Sequence, residues 1–113
     1  MLRIVKEKVR IGGRISMKDK LHNPDMDMLM QAICTLESKE ECYRFFEDIC
    51  TMNELQSFSQ RFQVAKMLWE HNVYTEISKE TGASTATISR VKRTLDYGND
   101  GYELAFRRMN KEQ

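Results

Sequence analysis

Residues Tyr74 to Arg93, YTEISKETGASTATISRVKR, place the tightest constraint on how this chain can fold. Ile77, Ala83, Ile88 and Val91 are spaced for two short helices, because Gly82 falls between them. A glycine takes the positive φ that ends a helix at little cost, and Ser84 just beyond it can cap the next one. The spacing predicts about one and a half helical turns over Glu76 to Thr81 and a second helix beginning at Thr85. The four apolar residues then meet where two helices cross steeply around a tight turn, and the small Ser78 lies where the second helix comes closest.

The pattern before this segment is also helical. Asp25 to Thr35 places Met26, Met28, Leu29, Met30, Ile33 and Cys34 on a broad apolar face, with Asn23-Pro24 as the entry signal. Ser38, with Glu41 three residues on, reads as a capping box opening a second helix whose buried side is Tyr43, Phe45, Phe46, Ile49 and Cys50. Thr51 and Glu54 repeat the device ahead of a long helix carrying Leu55, Phe58, Phe62, Ala65, Leu68 and Trp69, expected to run to about His71. Asp96 to Gly101 reads as a loop, and Tyr102, Leu104, Ala105 and Phe106 as a short terminal helix before a polar tail. The fold class expected is all-α. The apolar faces are wider than a small monomer needs, and the eight methionines suit packing against a second chain; a well-filled monomeric core is the alternative.

At 113 residues there is room for one core, and 41% hydrophobic with 31% charged residues suits a soluble globular chain. No apolar run approaches a membrane span and no secretory signal is present, so a cytoplasmic location is expected. Cys34, Cys42 and Cys50 lack metal-ligand spacing with one another or with His22 and His71, and are expected to be small, reduced, mostly buried side chains. Residues 1–16 carry five Lys or Arg against one Glu and read as a basic N-terminal extension to a domain spanning 17–113. Gly12-Gly13-Arg14 can be encoded by a purine-rich run resembling a ribosome-binding sequence, which makes Met17 the expected natural start; a basic arm touching phosphates is the other reading.

Net charge is only +1, yet residues 25 to 73 hold four basic residues against nine acids while residues 84 to 95 hold three and no acid. The neutral total hides a basic patch on the second helix of the pair. Its outward positions are Ser84, Thr85, Ala86, Ser89, Arg90 and Arg93. An α-helix enters a DNA major groove only if its leading side chains let the backbone approach, and Thr85 and Ala86 are short enough. Thr85, Ala86 and Ser89 are thus candidates to read bases, and Lys92 and Arg93 to hold the sugar-phosphate backbone. The partner expected is double-stranded DNA. The alternative is a helical protein-interaction module whose basic helix holds an acidic partner. An enzyme finds no support, for there is no glycine-rich phosphate loop, metal-ligand cluster or nucleophile–base pair, and His71 reads as a capping or surface residue.

The stretch TGASTATISRVKRTL closely resembles the reading head of the tryptophan repressor family, whose pattern is Gly-Ala-x-x-Ala-Thr-Ile-[Ser/Thr]-Arg, and TMNELQSFSQRFQVAKML resembles its central helix. The resemblance covers about Thr35 to Leu95. It implies an intertwined all-α homodimer whose two helix-turn-helix heads, each about Tyr74–Arg93, address a pseudo-palindromic operator, most simply as a repressor. It implies no cofactor beyond a small-molecule corepressor. Carried over by motif, the effector pocket involves Thr51, Arg61, Thr87 and Arg90. A one-residue gap near His71 to Tyr74 places Arg61 in this set, whereas an ungapped count back from Gly82 places Gln60 there. Tryptophan-binding members carry a glycine directly after the motif arginine, where this chain has Val91. A branched side chain there overfills the space an indole needs, so the expected effector is a small metabolite other than tryptophan.

Overall fold

Three helices begin where their caps announce them. In the computed structural model, which describes residues 10–11, 14–15 and 20–111, the Asn23 side chain accepts a 2.8 Å hydrogen bond from the Met26 N–H, and Pro24 opens helix α1, Pro24–Cys34. Proline suits that position because its missing N–H would have no intrahelical partner. Ser38 Oγ accepts from the Glu41 N–H at 3.1 Å at the head of α2, Lys39–Ile49. The second half of the expected box is displaced, since the Glu41 carboxylate accepts from the Glu37 N–H at 2.9 Å and not from Ser38. At Thr51 the box is complete. Thr51 Oγ1 accepts from the Glu54 N–H at 3.1 Å, and the Glu54 carboxylate accepts from the Thr51 N–H at 2.8 Å, opening α3, Met52–Trp69.

The chain divides into two compact units, Met1–Ile49 and Cys50–Gln113. In the first, the two-residue strands β1 (Arg10–Ile11) and β2 (Arg14–Ile15) pair antiparallel, Arg10 opposite Ile15. The readings of Met17 as natural start and of residues 1–16 as a basic arm otherwise fall outside the described residues. No side chain of α1 or α2 is buried. This corrects the expected buried side of α2: Phe45 and Phe46 meet edge to face at 5.4 Å and are half-buried, but Tyr43 is 64% and Ile49 50% exposed. An apolar stripe is buried only where another element covers it, and the residues of this stripe are exposed or half-buried. The cysteines follow suit, with Cys34 exposed, Cys42 and Cys50 half-buried, and all three free thiols.

In the second unit, α3 is the spine, and α4 (Tyr74–Thr81), α5 (Thr85–Tyr97) and α6 (Gly101–Lys111) pack on it. The core is Val64, Ala65, Ile77, Ala83, Ile88, Val91 and Phe106, each at most 3% exposed. Full burial of an isoleucine such as Ile77 or Ile88 stabilises by roughly 1.5–3 kcal/mol. Phe106 closes the core from α6, its ring 5.1 Å from Trp69 and 5.0 Å from Phe62.

The ends of α3 and α5 differ from expectation. Helix α3 stops at Trp69, with Glu70 as its C-cap, because His71 turns left-handed at φ 68°. Helix α5 continues to Tyr97, so the expected loop from Asp96 shrinks to the three residues between α5 and α6. Apart from the β1–β2 pair the described architecture is all-α, and no described helix is long and apolar enough to cross a membrane.

Candidate functional site

The turn between α4 and α5 is held by side chains on both flanks. Gly82 sits at φ 71°, its N–H donating to the Ser78 carbonyl at 2.9 Å. Thr81 Oγ1 donates to the Ile77 carbonyl at 2.7 Å and accepts from the Ala83 N–H at 3.1 Å, while Ser78 Oγ donates to the Ala83 carbonyl at 3.0 Å. Ser84 Oγ accepts from the Thr87 N–H at 3.1 Å and starts α5. Underneath, Ile77, Ala83, Ile88 and Val91 are all buried, as the spacing requires. α4 begins two residues earlier than expected, at Tyr74.

On the outer side of α5, Ser84, Thr85, Ala86, Ser89, Arg90, Lys92 and Arg93 are all exposed. No acidic residue lies in its first turn. Among the described residues Arg90 and Arg93 form no ion pair, whereas Lys92 is held by Asp96 one turn further on. That hydrogen bond raises the Lys92 pKa above the usual lysine value.

Beside the head, α3, α5 and α6 enclose a cleft of about 440 Å³. Arg61, Thr87, Arg90 and Val91 line it, together with Ser57, Gln60, Thr94 and Tyr102. Thr51 is not among the lining residues; its hydroxyl caps α3. Arg61 and Gln60, alternatives by alignment, both face this cleft. Arg61 Nε donates to the Ser57 carbonyl at 3.4 Å, with its guanidinium carbon 5.2 Å from the Phe58 ring centroid. Gln60 Nε2 donates to the Thr81 carbonyl at 3.1 Å. Ser57 and Thr94 were within reach of helical spacing, four residues before Arg61 and seven after Thr87. Tyr102 carries no such local signal. Among the described residues no three His, Cys, Asp or Glu side chains gather as metal ligands.

Residues 24–110 match the family model for Trp repressor protein. Over 95 residues the chain is 57% identical to the uncharacterized protein YerC of Bacillus subtilis (strain 168), covering 84% of this chain and 91% of that one. It also resembles the crystal structure of a TrpR-like protein from Eubacterium eligens ATCC 27750, at 57% identity and TM-score 0.78, covering 80% of this chain and 94% of the other. A candidate Trp repressor from Staphylococcus aureus is similar at 56% identity and TM-score 0.80, over 84% of this chain and 95% of that one. The protein belongs to the Trp repressor family.

Proposed function

We propose that this protein is a homodimeric, sequence-specific DNA-binding transcriptional regulator, acting as a repressor. It reads a pseudo-palindromic operator through the helix-turn-helix over about Tyr74–Arg93. One observation carries the reading: α5 combines short leading side chains, Ser84, Thr85 and Ala86, with the cations Arg90 and Arg93, unpaired among the described residues, on one exposed surface, anchored by four buried apolar residues. The short groups let the helix approach base edges, and the cations supply the phosphate attraction that dominates affinity. Dimerisation is supported by α1 and α2, which bury no side chain of their own and expose Met28, Met30, Tyr43 and Ile49. The cleft is the effector site, with Arg61 and Arg90 paired to the carboxylate of a small acid other than tryptophan.

Selection from a random duplex library, followed by fluorescence anisotropy at several salt concentrations, tests the reading. A palindromic motif should emerge, light scattering should give twice the 13.4 kDa chain mass, and Arg93→Ala should weaken all duplexes and reduce the salt slope by about one. A change at Thr85 or Ser89 should instead alter the preferred sequence. Failure to select any motif would favour the protein-interaction module.

A further inference from the structure

Among the described residues, one side-chain hydrogen bond joins positions more than five apart in sequence: Gln60 Nε2 to the Thr81 carbonyl. Thr81 is the last residue of α4, and the carbonyls of a final helical turn lack intrahelical partners. The same residue's hydroxyl accepts from the Ala83 N–H, and its neighbour is the left-handed Gly82. Both Gln60 and Thr81 are half-buried, which strengthens the bond relative to one in open water.

We propose that Gln60 is the positioning residue of the reading head, tying the α4–α5 turn to the central helix and thereby setting the presentation of Thr85, Ala86 and Ser89. Helix α4 has only eight residues, too short to hold its own conformation without tertiary support. The apolar contacts of Ile77 and Ile88 resist separation of the head from α3 but are non-directional. Gln60 adds the directional restraint. Because it also walls the cleft, the contents of the cleft and the placement of the turn share one side chain.

The test compares wild type with Gln60→Ala and Gln60→Glu. The readouts are amide hydrogen exchange and affinity for the selected duplex; only the second rests on the DNA-binding reading. A glutamate donates to the Thr81 carbonyl when protonated and repels it when ionised. At pH 7.5 both variants should lose about fivefold in protection at the Gly82 and Ala83 amides, the contribution of one hydrogen bond. The Leu104 amide, bonded within α6 to Asp100, serves as the unaffected reference. Affinity should fall by a similar factor. As pH is lowered until the new carboxyl is protonated, protection and affinity in Gln60→Glu should return toward wild type, while Gln60→Ala stays deficient. A merely space-filling role would not produce that recovery. Wild-type protein that selects no duplex would sink the DNA reading and leave the exchange test standing. Exchange in Gln60→Glu equal to wild type at both pH values would overturn the role of Gln60.

Discussion

Lys92 and Asp96 close an ion pair one turn apart on α5, Nζ to Oδ2 at 2.8 Å, with both side chains nearly half exposed. If Lys92 holds the DNA backbone, a phosphate competes there with a carboxylate already in place. Such an exposed pair adds little to stability, but it neutralises a cation on the proposed DNA face. Asp96→Asn is expected to raise affinity for every duplex and to steepen the salt dependence by up to about one further ion, as anisotropy titrations would show. Identical salt slopes would mean that Lys92 lies off the DNA. Because the pair raises the Lys92 pKa above the usual 10.5, its small stabilising contribution is present below 10.5 and is lost as pH rises through the raised value.

The α3 capping box predicts acid sensitivity of defined sign. Hydrogen bonds from Thr51, its backbone N–H foremost, lower the Glu54 pKa below the usual 4.5. Its charge-dependent contribution is therefore fully present above 4.5 and disappears as pH falls through the lowered value. Glu54→Gln keeps an acceptor for the Thr51 N–H but loses the charge. Thermal melts from pH 7 to pH 2.5 should show wild type more stable than the variant at neutral pH, with the gap closing at the acid end. A gap independent of pH would contradict the assignment.

Gly82 isolates a purely conformational cost. A Cβ built there meets nothing within 4 Å, yet φ is +71°. Gly82→Ala should destabilise by about 1–2 kcal/mol, the penalty for a left-handed L-residue. Denaturant unfolding would measure it. Gly101→Ala, also without a neighbour within 4 Å but outside the left-handed region, is the control and should be near neutral.

Val91 lines the cleft, and the proposed exclusion of an indole rests on it. Calorimetry with L-tryptophan should give no binding heat for wild type, and Val91→Gly should acquire it, since the variant carries the glycine of tryptophan-binding relatives. The gain comes with a loss: Val91 is 3% exposed, and removing it while placing glycine in a helix should destabilise by roughly 3 kcal/mol. Binding of tryptophan to wild type would refute the exclusion.

Much of the candidate site was legible because its determinants are local. Asn23, Thr51, Gly82 and Ser84 act on backbone groups at most four residues away, so caps and turns can be read along the chain. The buried set Ile77, Ala83, Ile88 and Val91 followed from the same spacing. Lys92–Asp96 is local too, one helical turn apart, with Asp96 directly after the acid-free stretch 84 to 95.

What the sequence by itself determined is therefore where the side-chain-capped helices start, where the turn between α4 and α5 falls and which face of α5 is short and cationic. Tertiary structure alone decided the rest. Phe106 became core by meeting Trp69, 37 positions earlier in the chain, and Tyr102 joined the cleft because α6 returns to α3. Gln60 found Thr81 across 21 positions, turning an alignment ambiguity with Arg61 into two neighbours with different partners. The reason is physical: a cap is chosen by the nearest free N–H, whereas a packed ring or a cross-helix amide is chosen by whichever element folds back against it.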